Sequence, residues 1–276
     1  MGPEIDHDLD VEGDVLLVLQ NPNGPFAVWG EKEAWEHSRP TPLDTESEQA
    51  YDYIFEDPAY RISCRSTTEA APESPERGEP RRKKHKRNPA SVAGEGFEVR
   101  FRLSSRHLIL ASPYFRAMLT GPWEENSSRS GSMYTINACD WDEEALTVLM
   151  NIIHGHSERI PRSMSLELLA KIAVLVDYYK CHKIVKFYSD TWTTGIYDEN
   201  DLPRKYTRNF MLRLFTSCVF AQHDMFHFLT LFAVRETRGP LRTLGLPFPD
   251  GLIEKIDDTR MAIVEVIIGH YHDLVA

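Results

Sequence analysis

Residues Ser104–Thr120 read SSRHLILASPYFRAMLT, and this stretch predicts two short helices meeting at a sharp corner. Ser104 or Ser105 can cap the first helix, leaving Leu108, Ile109 and Ala111 to face a core. Ser112 then offers its hydroxyl to the free amides of a second helix. Pro113 takes the first helical position, where no N–H is missed. Tyr114, Phe115, Met118 and Leu119 follow at helical spacing before Gly121-Pro122 stops the run. A corner of this kind scaffolds a fold rather than a reaction.

Upstream of it, Phe97, Val99, Phe101 and Leu103 alternate with Glu98, Arg100 and Arg102, the period of a half-buried strand. Earlier still, Asp14 to Leu19 is a short apolar β-run. The turn-rich Asn21-Pro22-Asn23-Gly24 comes next, with Phe26 to Trp29 as a returning strand of a hairpin. Downstream, Met133 to Ile136 reads as a strand, and Asp140 is expected to cap a helix, with Glu143 completing a capping box. That helix carries Leu146, Leu149, Met150 and Ile153 and ends near Gly155. Further helices are expected over Leu166–Tyr179, Ile184–Thr193, Asn209–Gln222, Asp224–Thr237 and Pro249–Leu274. Leu16, Leu108, Phe115, Leu149 and Leu169 are the expected centre of the core.

The net charge of −11 argues against a chain that grips nucleic acid as a whole, since phosphate contacts need a basic face. The negative excess sits in residues 1–79, while Thr41 to Gly96 is rich in Glu, Ser, Pro and Arg and predicts a disordered segment. Met1 to Asp10 has no basic stretch leading into an apolar one, so no secretory leader is expected. No apolar run approaches the roughly 20 residues that cross a bilayer, and no membrane partner is expected. Cys64, Cys139, Cys181 and Cys218 stand far apart with no C-x-x-C spacing, which fits reduced thiols in the cytoplasm or nucleus.

In order, these elements are a strand or hairpin, a strand, a helix pair, a short strand and alternating helices, an α+β arrangement. Order and motifs together resemble the BTB/POZ interaction domains, whose signature runs H-x-x-x-L-x-x-x-S-x-x-F-x-x-M-L/F. Here Ser112, Phe115, Met118 and Leu119 match its second half, and His107 and Leu110 (one residue early) stand for its first, with His107 five residues before Ser112 rather than eight. Gly13-Asp14-Val15 resembles the family's opening strand, and Leu166 to Leu169 with Ala173 and Val176 to Tyr179 resembles its L-L-x-x-A-x-x-Y helix. Asn151–Gly155, Val174–Cys181 and Gly239–Pro249 are similar to segments of filamentous-fungal members.

The resemblance implies a BTB/POZ fold, a small β-sheet flanked by helical hairpins. Residues 1–30 would give the first strand or hairpin and 96–195 the remainder of the domain. A disordered insertion (31–95) and an all-helical C-terminal extension (196–276) would complete the chain. It also implies a non-enzymatic protein–protein interaction module, a scaffold or adaptor in a regulatory complex, with protein partners and with self-association open to it. His107 is implied to be a structural histidine that ties the corner to neighbouring backbone. Family members that recruit a cullin ubiquitin ligase often carry a hydrophobic-x-Glu motif after the third helix. The matching loop here has Ile160-x-Arg162 and lacks the acid. Zinc-finger members exchange an N-terminal extension in their homodimers, and 13 residues precede Asp14 here.

The remaining chemistry is sparse. Arg81, Arg82, Lys83, Lys84, Lys86 and Arg87 form a basic run that suits a nuclear import receptor, or a solvated counterweight to the acids before it. A substrate adaptor of a cullin-type ubiquitin ligase and a nuclear transcription or chromatin-associated regulator are therefore the alternatives to the scaffold reading. No aromatic residues interleave to stack bases. His223 and His227 stand one helical turn apart, but the Glu of H-E-x-x-H is missing and no third ligand is evident, so no metal or cofactor is expected. His154 and His156 read as surface residues flanking a glycine. Cys181 and His182 are adjacent, and adjacent helical side chains diverge by about 100°. No G-x-S-x-G, P-loop or G-x-G-x-x-G is present, and no enzyme is expected.

Overall fold

The apolar strand β2 (Val15–Gln20) forms the middle of a four-stranded mixed sheet, ordered β1-β3-β2-β4. Its neighbours are β3 (Glu98–Leu103), antiparallel with Leu17 opposite Phe101, and β4 (Tyr134–Cys139), parallel with Leu17 opposite Ile136. A two-residue β1 (His7–Asp8) pairs parallel with the outer edge of β3. The computed structural model describes residues 4–30, 97–120, 133–196 and 205–275. The inserted segment 31–95 and its basic run Arg81–Arg87 lie outside the described residues.

Alternation sorts the sheet into two faces. Val15, Leu17, Leu19, Val99, Phe101, Leu103, Ile136 and Ala138 all enter one hydrophobic core. Leu16 and Val18 are buried as well, but on the opposite face and outside that cluster, so Leu16 is not at the centre. Leu108, Phe115, Leu149 and Leu169 are fully buried in it.

The helices are α1 (Ser105–Ala111), α2 (Pro113–Thr120), α3 (Glu143–His154), α4 (Leu166–Tyr179), α5 (His182–Ile196), α6 (Arg208–Val219), α7 (His223–Glu236) and α8 (Leu252–Val275), with a 3-10 turn at Ser157–Arg159. α4 lies between α3 and α6, α7 packs on α6, and α8 packs on α7. Leu212 and Phe215 of α6 join the same core as the sheet.

Three local expectations are corrected. Phe26 to Trp29 form no returning strand. Their backbone is held instead by Arg208, whose guanidinium donates to the Ala27 carbonyl at 2.8 Å and the Phe26 carbonyl at 3.1 Å. The turn residues before them serve the β4–α3 connection. Asn21 donates to the Asp140 carboxylate at 2.6 Å, and Asn23 accepts from the Glu143 amide at 3.0 Å. The cap of α3 is Asp142 rather than Asp140: its Oδ1 accepts from the Ala145 amide at 3.0 Å while its Oδ2 pairs with Lys171 at 2.7 Å. Asp140 takes a left-handed conformation, φ 65°, in the turn before it.

Gly13 is required by close approach. A Cβ there would meet the Leu103 carbonyl oxygen at 2.6 Å and the Asp10 carbonyl oxygen at 2.8 Å, and backbone cannot swing aside. Gly155, φ 78°, closes α3 as a left-handed C-cap, and its N–H returns to the Ile152 carbonyl.

Candidate functional site

The corner between α1 and α2 faces the junction where α4 gives way to α5. Lys180 ends α4 in the left-handed region, φ 53°, and its N–H donates to the Val176 carbonyl. Ser112 joins corner and junction. Its Oγ accepts from the Phe115 amide at 3.1 Å, capping α2. The same hydroxyl donates to the Tyr179 carbonyl, one of the acceptors that a helix C-terminus leaves without an intrahelical partner. The Phe115 ring stacks on Tyr179 with centroids 4.7 Å apart, and Tyr178 meets Trp141 edge-on at 5.1 Å. Burial pushes the Tyr179 phenol far above its usual range, so it stays protonated.

On the solvent side of this junction lies a cleft of about 510 Å³. Leu110 and Ile184 supply apolar lining, and Arg116, Lys180 and Lys183 supply cations. Leu110 is 81 % exposed, so it leaves the core and offers a bare side chain at the cleft. Arg116 donates to the Ile109 carbonyl at 3.3 Å, and Lys180 pairs with Asp177 at 2.8 Å, which fixes both stems at the rim. Burial lowers the pKa of His182, against the pull of Asp177, so its ring is neutral at pH 7. In a chain of net charge −11, this is a local excess of positive charge around an apolar strip.

The signature residues divide by role. Asp14 accepts at 2.8 Å from both the amide and the hydroxyl of Ser105, capping α1 from the start of β2. Phe115 and Leu119 are buried, and Met118 is half-buried against the core. Leu110 is corrected from a structural position to a surface one. His107 is corrected too: it is exposed, and among the described residues its ring finds no hydrogen-bond partner.

His154 does what was expected of His107. It is 8 % exposed, its Nε2 accepts from the Ser104 amide at 3.0 Å, and its Nδ1 donates to the Met150 carbonyl at 2.9 Å. Those partners require the neutral tautomer with the proton on Nδ1. Burial lowers its pKa, in spite of the Met150 carbonyl, and the nearby His107 ring at 5.1 Å lowers it further. His156 is likewise no idle surface group; its Nε2 donates to the Leu9 carbonyl at 2.8 Å. A histidine immediately before Ser157 and one at the end of an apolar helix gave the only sequence signal for these roles.

Reactive groups are kept apart. Cys181 is buried, and desolvation pushes its thiol up to about 12. Ser112 already spends its hydroxyl on two backbone groups. His223 and His227 are both exposed on α7. Among the described residues, no group of three or more His, Cys, Asp or Glu side chains is placed to hold a metal ion. No helix among the described residues is long and apolar enough to cross a membrane. No family model matches the chain, and no curated protein matches it.

Proposed function

We propose that this chain is a non-enzymatic protein–protein interaction module of the BTB/POZ type, working as a scaffold or adaptor. The observation that carries this reading is the corner cleft, in which exposed Leu110 stands among Arg116, Lys180 and Lys183. The cleft suits a peptide that inserts an apolar side chain beside Leu110 and Ile184 and lays carboxylates on the rim. Apolar contact supplies the affinity of such a site, while charge supplies orientation and on-rate. The sequence order of strands, corner and helical pairs supports the family reading, and the side-chain chemistry at the cleft supports binding over turnover.

Peptide display against the intact protein tests it. Enrichment of acidic peptides with a central apolar residue is expected, and the double change Lys183→Glu with Leu110→Asp should abolish it. Both positions are exposed, so the fold is untouched and circular dichroism will be unchanged. No enrichment, or enrichment that survives the double change, overturns the reading.

A further inference from the structure

α8 is anchored at one end and bare at the other. Its first half is held by Ile256, buried against the body, and by Arg260, whose guanidinium donates to the Thr237 hydroxyl at 2.9 Å and the Gly239 carbonyl and pairs with Asp257 at 3.1 Å. Beyond Arg260 every residue to Val275 is exposed, although the helix continues for four more turns' worth of chain.

The bare half keeps the pattern of the docked half. Val264, Ile267, Tyr271 and Leu274 follow Arg260 at spacings of four, three, four and three, the a/d repeat of a helix that packs against another helix. Ile263 and Ile268 flank this seam, and the six side chains are 40 to 85 % exposed. With Met261 and Val275 they present on the order of 800 Å² of surface, the share one partner contributes to a standard-size interface. Of the titratable residues of this half, Glu265, His272 and Asp273 lie off the seam, His270 borders it at the position Ile263 takes one heptad earlier, and Tyr271 is on it as an uncharged phenol.

We propose that the bare half of α8 pairs with the same face of a second copy of this chain. Three observations choose that occupant. The seam carries no charge, so two identical seams meet without like-charge contact, as a two-fold interface requires. The area matches what a stable dimer needs. The polar face of Met261–Val275 holds acids and histidines and no Lys or Arg, which disfavours an anionic membrane surface as the cover. The pairing involves no residue of the corner cleft, so it stands or falls independently of the function proposed above.

Sedimentation velocity on the intact chain decides it. A species of twice 31.8 kDa is expected across a micromolar dilution series. Ile267→Asp combined with Leu274→Asp should return it to the monomer with an unchanged far-ultraviolet circular dichroism spectrum. Val266→Asp, on the polar side, should leave the dimer in place. A monomer at tens of micromolar, or a dimer that survives the double change, overturns the proposal. So does a monomer that co-sediments with phosphatidylcholine–phosphatidylserine vesicles.

Discussion

The hydroxyl of Ser112 donates to the carbonyl of Tyr179, and through that bond the start of α2 and the end of α4 share one side chain. Helix termini each leave backbone groups without partners, and burial makes every such group costly. Ser112→Ala removes the cap and orphans the Tyr179 carbonyl at once. We expect a loss of about 2–4 kcal/mol, from roughly 1 for the cap and 1–3 for the buried acceptor. Urea denaturation measures it; a change under half a kcal/mol would show that the corner is held by other contacts.

Asp14 caps α1 from 91 residues away, through two 2.8 Å bonds to Ser105. Asp14→Ala should cost about 1–3 kcal/mol, the usual range for a hydrogen bond to a charged group. Asp14→Asn keeps an acceptor for the amide and should recover part of that loss. Equal destabilisation by the two changes would mean that charge, not the bond to the Ser105 amide, is what matters.

His154 makes stability depend on pH. Its folded pKa is lowered, so the folded state binds this proton less readily than the unfolded chain. Its contribution is complete above the unfolded value, about 6.5, and is lost as pH falls through the lowered folded value. A proton on Nε2 would also confront the Ser104 amide donor. The stability gap between the wild-type chain and His154→Ala should therefore narrow from pH 7.5 towards pH 5. Urea midpoints at both ends of that range test the sign, and a gap that widens would refute it.

Thiol reactivity should separate Cys139 from Cys181. Cys139 is exposed on β4, whereas Cys181 is buried with its thiol raised to about 12 by desolvation. Iodoacetamide on the native protein, read by peptide mass mapping, should label Cys139 readily and Cys181 only after denaturation. Native labelling of Cys181 at a comparable rate would contradict its burial.

The corner and the helices were legible because their signals are local. Ser112-Pro113, the i, i+3, i+4 spacing of Phe115, Met118 and Leu119, and the alternation of Val99, Phe101 and Leu103 each act within a few residues. What stayed hidden depends on distant partners. Asn21 and Asn23 have the composition of a hairpin turn, yet their side chains serve Asp140 and the Glu143 amide, about 120 residues on. His107 carries the motif while His154 carries the bonds, and only the fold brings Ser104 to the end of α3. Leu110 is the residue whose two signals disagreed: the family motif made it structural, while helical spacing sets it about 200° from Leu108, on the outer side. The lining of the cleft was hidden too, because its cations come from both sides of a contact between segments 64 residues apart, as Tyr114 and Tyr178 show.

β2 lies at the middle of the sheet and is made before either neighbour. Its last residue, Gln20, waits 78 residues for Glu98 on one side and 119 for Cys139 on the other. At roughly 5–20 residues per second of synthesis, the segment VLLVLQ leaves the ribosome seconds before it can be paired. An uncharged apolar strand in that state pairs with whatever edge it meets. The strand that organises the finished sheet is thus an adhesive stretch of the nascent chain while it waits, and soluble yield should follow how quickly residues 21–139 are delivered to it.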